Sequence, residues 1–132
     1  MSIAKYAYTA IDCPKPRDLA RFYSAITGWA ISPLWEGETE ESCDWSELLD
    51  VDGNTKMAFQ QVSDYKAPTW PDNEGPQQDH MDFHAPELDE AEAKLLALGA
   101  IKAAHQVRPD TFRVYLDPAG QPFCIVKKDL IQ

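Results

Sequence analysis

The pattern of apolar and polar residues predicts the same order of strands and helix in both halves of this 132-residue chain. Residues 4–11 are rich in aromatic and β-branched side chains and predict a strand. The next stretch, PKPRDLARFYSAITGW, predicts a helix with prolines at its start and Gly28 as its C-cap. Its apolar residues have the i, i+3, i+4, i+7 spacing of one buried stripe: Leu19, Phe22, Tyr23 and Ile26. Strand-like runs follow near 29–35, 45–50 and 56–62.

The second half shows the same order of elements. A strand is predicted at 79–84, followed by a helix at about 87–98 that ends at Gly99 as its C-cap. The helix is expected to turn four apolar side chains inward: Leu88, Ala91, Leu95 and Leu98. Three further strands are predicted, near 101–107, 112–116 and 122–127.

Two turn motifs also recur, Asp50-x-x-Gly53 and Asp117-x-x-Gly120. We therefore predict an α+β fold with two tandem β-α-β-β-β modules, produced by internal duplication. The first module covers about 4–62 and the second about 79–127, with a proline-rich linker at 63–78 between them. The modules are expected to form one domain, 1–132, with a cup-shaped, mostly antiparallel sheet and helices outside. Such a concave surface is a common site for a small molecule.

The composition and net charge of the chain limit the kinds of molecule that it is expected to bind. A mass of 14.9 kDa with 44% apolar residues suits one domain with a core. The net charge of −10 argues against nucleic acid or an anionic membrane surface as a partner. No signal peptide or membrane-spanning segment is predicted from the sequence. Three cysteines without a C-x-x-C pair suit free thiols in a reducing cytoplasm: Cys13, Cys43 and Cys124.

The residues best suited to catalysis or ligand binding lie in the segment PQQDHMDFHAP. His80, Asp82 and His84 alternate with apolar residues, so in a strand they would share one face. His80 is either a hydrogen-bonded polar residue or an acid–base group, because histidine titrates near neutral pH. Asp82 is not expected to bond the imidazole directly, and serves either to anchor a ligand amine or to stabilise the strand. His84 is expected to be structural or exposed.

Cys124 has two interpretations. It is a nucleophile activated by His80, or a buried and inert thiol, which its apolar neighbours in PFCIV favour.

The chain resembles the vicinal oxygen chelate superfamily, which includes glyoxalase I, bleomycin-resistance proteins and extradiol dioxygenases. The resemblance covers about residues 4–127 and rests on the paired modules and on several motifs: DLARFYSAITGW, AFQQV, PQQDHMDF and YLDPAGQPFCIV. It implies the two-module fold, a small-molecule ligand and a homodimer.

In metal-dependent members of the superfamily, four inward residues from the first and last strands of both modules hold a divalent ion. The resemblance assigns these positions to Tyr8, Gln60 (or Gln61 in a shifted register), His80 and Cys124. No carboxylate is present among them, although hard and borderline ions favour oxygen and nitrogen donors. We therefore expect no metal and no other cofactor, with a divalent metal as the alternative.

The resulting hypothesis is a cytoplasmic small-molecule-binding protein whose ligand contacts five residues: Tyr8, Gln60, His80, Asp82 and Cys124. The alternative is a lyase, isomerase or transferase of the glyoxalase type with His80 as the catalytic residue, with or without a divalent metal. Either Glu47 or Asp82, if it reached the centre of the site, would restore a carboxylate and favour the enzyme.

Overall fold

The computed structural model describes residues 6–70 and 79–128. The chain divides into two compact units, Met1–Tyr65 and Lys66–Gln132. Parts of two predictions, the start of the first strand and the end of the linker at 71–78, lie outside the described residues. In the part of the chain that is described, neither helix has the length and hydropathy that crossing a membrane requires.

The first unit contains one helix and a four-stranded sheet. Its elements are β1 (Thr9–Cys13), α1 (Pro16–Thr27), β2 (Ala30–Ile31), β3 (Trp45–Leu49) and β4 (Thr55–Gln61). The strand order is β1-β4-β3-β2, with β1 parallel to β4 and the other pairs antiparallel. The predicted order of elements is confirmed, although β2 is much shorter than the apolar run 29–35 suggested.

The second unit repeats this arrangement. Its elements are β5 (Met81–Ala85), α2 (Leu88–Ala97), β6 (Ile101–Lys102), β7 (Phe112–Leu116) and β8 (Pro122–Lys127). The strand order is β5-β8-β7-β6, again with one parallel pair, β5 and β8. The predicted α+β class with two β-α-β-β-β modules is confirmed.

Helix α1 lies on its sheet through the predicted apolar stripe. Leu19, Phe22 and Tyr23 are buried, and the Tyr23 ring stacks on Phe59 of β4 at 5.8 Å between centroids. Gly28 has a φ of 80° and its N–H donates to the Ser24 carbonyl at 2.8 Å, which ends the helix as predicted. The side chains of β4 that alternate with Phe59 therefore face away from α1.

Helix α2 covers one face of the second sheet. Leu88 and Leu95 are buried, but Leu98 is 42% exposed, so its predicted inward position is wrong. The reason is that the helix ends at Ala97. Its C-cap is Leu98 rather than the predicted Gly99, which follows at a φ of 103°. On the sheet, Tyr115 donates its hydroxyl to Glu92 of α2 at 2.9 Å, and its ring stacks on Phe123. The face of this sheet that carries Tyr115 and Phe123 thus packs on α2.

The two aspartate–glycine motifs form equivalent turns. Asp50 accepts the backbone N–H groups of Asp52 and Asn54 at 3.0 and 2.9 Å, between β3 and β4. Asp117 accepts those of Ala119 and Gln121 at 2.8 and 2.9 Å, between β7 and β8. In each turn the carboxylate replaces backbone hydrogen bonds that the reversal of the chain removes.

Candidate functional site

The polar residues of β5 and β8 meet on the face of the second sheet that lies away from α2. Asp82 is paired with Cys124 in the parallel β5–β8 ladder, and Cys124 is paired with Val114 of β7. Paired residues project from the same face of a sheet, so these three side chains are neighbours there. His84 lies further along β5 and is exposed.

His80 comes directly before β5 and completes a polar cluster, defined here as His80, Asp82 and Cys124. Its Nε2 atom lies 3.3 Å from Oδ1 of Asp82. One donor atom from each of the three residues lies within 4.8 Å of the others. The expectation that Asp82 would not bond the imidazole is therefore wrong. Because His80 precedes the regular strand, its ring is not held at strand spacing and turns toward the carboxylate.

The turn between β7 and β8 supports this segment. The side-chain amide of Gln121 donates to the carbonyl of Asp79 at 2.8 Å, one residue before His80. The backbone N–H of Gln121 in turn donates to the Asp117 carboxylate at 2.9 Å. The turn motif recognised in the sequence thus fixes the approach of His80 to the sheet, a connection that the sequence did not predict.

An apolar wall, defined here as Trp70, Phe112 and Val114, lies on one side of the polar cluster. Cys124 is only 8% exposed and packs with Val114, while Trp70 and Phe112 lie against this buried group. The Trp70 ring also contacts His105, with 5.4 Å between ring centroids. The side chains of His80 and Asp82 are 44% and 54% exposed, so the cluster is buried on one side and open on the other.

The surroundings of Cys124 raise the pKa of its thiol to about 11. Burial is the largest cause, followed by the charge of Asp82 and a hydrogen bond between the two side chains. The thiol therefore stays protonated near neutral pH in the metal-free protein. Since the thiolate is the nucleophile, this argues against activation of Cys124 by His80.

Alkylation of the chelator-treated protein by iodoacetamide tests this prediction. The pKa of about 11, against the ordinary 9.0, should lower the thiolate fraction of Cys124 at pH 8 about a hundredfold. The Asp82→Asn variant should react faster, because it lacks the negative charge beside the sulfur. Peptide mass spectrometry separates Cys124 from Cys13 and Cys43. A pH–rate profile for Cys124 with a midpoint near or below 9 would contradict the prediction.

The predicted ligand residues of the first unit lie on the face of its sheet away from α1. Tyr8 comes directly before β1, with its ring centroid 6.5 Å from that of Trp45. Gln60 is paired with Asp12 at the far end of β1, four residues beyond Tyr8. Four residues of strand span roughly 13 Å. Tyr8 and Gln60 therefore share a face but lie at opposite ends of β1.

The β1–β4 ladder of the first unit corresponds to the β5–β8 ladder of the second, and this identifies equivalent residues in the two units. Ala10 is paired with Ala58 in β1–β4, as Asp82 is paired with Cys124 in β5–β8. Tyr8 precedes β1 as His80 precedes β5. The first unit thus has Tyr8, Ala10 and Ala58 where the second has its polar cluster, and Gln60 lies two residues beyond the position that matches Cys124.

Glu47, the other candidate carboxylate, already has two donors within the first unit. Its carboxylate accepts the Trp45 indole N–H at 2.8 Å and the Thr55 hydroxyl at 2.6 Å. These bonds hold Glu47 to its own sheet. Asp82 is therefore the carboxylate that joins a group of predicted site residues.

The first unit also has a cavity of about 260 Å³ at the start of α1, lined in part by Lys15, Arg17, Glu40 and Cys43. Arg17 is already engaged there, since it donates to Glu40 and to the Ser32 carbonyl, both at 2.7 Å. Gln61, the alternative to Gln60, lines this cavity, whereas Tyr8, Gln60, His80, Asp82 and Cys124 do not. We therefore assign the site to the polar cluster rather than to the cavity.

The polar cluster has the donors that a divalent ion of borderline softness requires. Imidazole nitrogen, carboxylate oxygen and thiolate sulfur are all zinc ligands, and three protein ligands are usual where a position stays open for water or substrate. Zinc–ligand distances of about 2.0–2.3 Å place neighbouring donors roughly 3.4–3.8 Å apart. The 4.8 Å spread of the cluster needs only small side-chain rotations to reach this separation. The four positions assigned by the resemblance contain no carboxylate, and Asp82 is the candidate carboxylate that lies beside two of them.

Comparison with known proteins agrees with this description. The profile of the glyoxalase-like domain matches residues 8–126. The chain belongs to the glyoxalase-like domain family. The predicted membership of the vicinal oxygen chelate superfamily is thereby confirmed. No protein of curated function matches the chain in sequence.

Solved structures of this family share the fold of the glyoxalase-like chain. A possible glyoxalase from Bacillus cereus is 12% identical with a TM-score of 0.62, covering 92% of this chain and 97% of the other. A glyoxalase/bleomycin resistance protein/dioxygenase family enzyme from Burkholderia phytofirmans is 16% identical with a TM-score of 0.59, covering 92% and 97%. The fosfomycin resistance protein FosX from Listeria monocytogenes, complexed with Mn(II) and sulfate, is 14% identical with a TM-score of 0.65, covering 98% and 96%. At these identities the likeness shows the fold alone.

Proposed function

We propose that this glyoxalase-like protein binds a small molecule on the open face of its second sheet, at the polar cluster. The observation that carries the proposal is the convergence of three donor atoms within 4.8 Å from His80, Asp82 and Cys124. The apolar wall beside them supports it, because ligand sites combine mainly apolar surface with a few convergent polar groups.

The polar cluster and the apolar wall together indicate the class of ligand. The imidazole of His80 can donate or accept a hydrogen bond, whereas the Asp82 carboxylate accepts. These groups suit a hydroxyl or amine on the ligand. Trp70 and Phe112 offer ring surface to an aromatic or apolar body. The proposed ligand is therefore a small amphipathic compound with a polar head.

A second candidate function is that of a lyase, isomerase or transferase with His80 as the catalytic acid–base group. The 3.3 Å contact between Nε2 of His80 and Oδ1 of Asp82 favours it. A carboxylate on one imidazole nitrogen orients the ring, which leaves the other nitrogen to exchange a proton with substrate. A divalent ion held by His80, Asp82 and Cys124 would instead supply a Lewis acid at a ligand oxygen.

Several expectations from the sequence stay predictions. These are ligand contacts by Tyr8 and Gln60, dimerisation, and a cytoplasmic location.

Binding can be tested by nuclear magnetic resonance on protein with labelled indole nitrogens. The probes are a panel of small hydroxy acids, phosphonates and aromatic amines. A bound compound is expected to shift the Trp70 indole signal and to leave that of Trp35, which is 74% exposed in the first unit, unchanged. Asp82→Asn should weaken binding at least about tenfold, because it removes a charged acceptor of nearly the same shape.

The matched control for the cluster is His84→Gln, on the same strand and exposed, which should keep the affinity of the unaltered protein. Compounds that shift only the signals of Trp35 or Trp45, or that bind Asp82→Asn equally well, would contradict the proposal. For the second candidate, conversion of a bound compound should be lost in His80→Gln even at concentrations that saturate the variant.

A further inference from the structure

We infer that Gly120 is a positioning residue for the ligand site: because it has no side chain, Ala67 can pack on the β7–β8 turn, and this contact holds Trp70 on the apolar wall. The inference rests on the proposed function in treating Trp70 as part of the site. It goes beyond that function by naming what fixes the tryptophan and which ligands depend on it, namely compounds with a planar aromatic ring.

The contact between Ala67 and Gly120 leaves no room for a second side chain. A Cβ atom at residue 120 would lie 2.5 Å from the Cβ of Ala67, much closer than two carbon atoms that are not bonded to each other approach. The Cβ of Ala67 is attached directly to the backbone, so only a backbone shift could relieve such a clash. The Cα of Ala67 would lie 4.0 Å away, at ordinary van der Waals distance. The missing side chain of Gly120 is therefore matched by the methyl group of residue 67.

The corresponding glycine of the first unit has no such neighbour. Gly53 has a φ of 84°, against 86° at Gly120, and each glycine comes three residues after the aspartate of its turn. A Cβ atom at Gly53 would meet no atom of another described segment within 4 Å. Positive φ explains the glycine in both turns, whereas the close approach of a second segment distinguishes Gly120 from Gly53.

The connection from Ala67 to Trp70 is short and restricted. Only Pro68 and Thr69 lie between them, and both are partly buried. Proline fixes its own φ and favours extended backbone at the residue before it. Thr69 forms a single β-bridge. A displacement of Ala67 is therefore transmitted to Trp70 and is not absorbed by a flexible segment.

Trp70 lies where its ring can meet a ligand beside the polar cluster. It packs against the buried group of Ala103, Val114 and Cys124, and its ring centroid is 5.4 Å from that of His105. A fixed indole offers a flat apolar face, and a contact between aromatic rings changes affinity by about two- to tenfold. The position of Trp70 thus favours ligands with an aromatic body over aliphatic ones that have the same polar head.

The same turn also supports the polar side of the site. Gln121, next to Gly120, donates its side-chain amide to the carbonyl of Asp79 at 2.8 Å, directly before His80. The β7–β8 turn therefore positions the apolar and the polar sides of the site through separate contacts.

The first test is the Trp70 indole resonance of the ligand-free full chain, assigned with Trp70→Phe. Gly120→Ala is expected to shift this resonance together with the ring-proton signals of His105, whose ring lies beside the indole. The matched control Gly53→Ala has the same unfavourable φ but no neighbour to displace. It should lower the unfolding midpoint without moving either signal.

Moving the methyl group from one residue to the other is the critical comparison. In the double variant Ala67→Gly/Gly120→Ala, the new Cβ would meet a Cα at 4.0 Å, so the Trp70 resonance should return to its position in the unaltered protein. Ala67→Gly alone removes the contact without strain at Gly120, and it should also shift the resonance. This variant keeps the test valid if Gly120→Ala does not fold. The inference is overturned if either single variant leaves the Trp70 signal in place, or if the double variant leaves it displaced.

Binding tests the ligand class. The probes are tyramine and ethanolamine, which both carry an amine and a hydroxyl group but differ in the aromatic ring. Gly120→Ala should weaken tyramine binding by about two- to tenfold and leave ethanolamine binding unchanged, and the double variant should restore tyramine. Equal affinity of all variants for tyramine would overturn the assigned class.

The two experiments separate this inference from the proposed function. A Trp70 signal that shifts and returns as expected, while no compound of the panel binds, would support positioning by Gly120 and contradict the proposed function. Compounds that bind at Trp70, combined with a signal that Gly120→Ala leaves in place, would do the reverse.

Discussion

Replacing Phe123 with alanine is expected to lower the free energy of unfolding by about 3–5 kcal/mol. Phe123 is 0% exposed, stacks on Tyr115 at 5.8 Å and meets the edge of Phe83 at 6.0 Å between centroids. Alanine would remove the ring from between these partners and leave a cavity that the paired strands β5, β7 and β8 cannot close. Guanidinium titration followed by circular dichroism measures the loss.

Phe83→Ala is the matched control for this substitution. Phe83 has the same side chain and lies in the same aromatic contact, but it is only partly buried. Its loss should be clearly smaller, since less apolar surface leaves water when its ring packs. Phe123→Leu, which keeps much of the volume, should lie between the unaltered protein and Phe123→Ala. Equal losses for Phe83→Ala and Phe123→Ala would show that the core is not centred on Phe123.

Replacing Asp117 with alanine is expected to cost about 3 kcal/mol of stability and to disturb the polar cluster. The carboxylate is 1% exposed and accepts two backbone N–H groups, which alanine would leave without this acceptor. One of these groups belongs to Gln121, whose side chain holds the segment before His80. The expected signature is a lower unfolding midpoint together with a shifted His80 imidazole resonance.

The equivalent substitution in the first unit is Asp50→Ala. Asp50 makes the same two hydrogen bonds, and these bonds, chiefly the one from Asn54, lower the pKa of its carboxyl group. Water can replace the lost acceptor at this more accessible turn, so stability should fall less than in Asp117→Ala. The His80 resonance should not move. A larger loss of stability from Asp50→Ala than from Asp117→Ala would contradict the explanation that the buried turn depends more on its carboxylate.

The features that sequence predicted well are those that depend on local periodicity. The stripe that includes Leu19, Phe22 and Tyr23 identified α1 because its spacing matches a helical turn. The Asp117 motif identified its turn because a short carboxylate and a glycine with positive φ serve that reversal. The prediction that Leu98 faces inward was wrong because periodicity does not show where a helix ends.

The features that sequence did not predict depend on register between distant segments. Alternation along a strand gives the face of a side chain but not its partner in the next strand. Gln60 was placed on the correct strand, yet the ladder pairs it with Asp12 rather than with the start of β1. The contact between His80 and Asp82 also escaped prediction, since it depends on how one ring turns just outside a strand.

The matched positions in the two units bear on how two halves would diverge after the predicted duplication. Ladder pairing aligns Tyr8, Ala10 and Ala58 with His80, Asp82 and Cys124 at equivalent positions of the two sheets. A gene that carries two copies of one scaffold can keep reactive groups in one copy while the other accumulates substitutions that only have to preserve folding. A duplicated fold of this kind can therefore acquire, move or lose a reactive centre without passing through an unfolded ancestor.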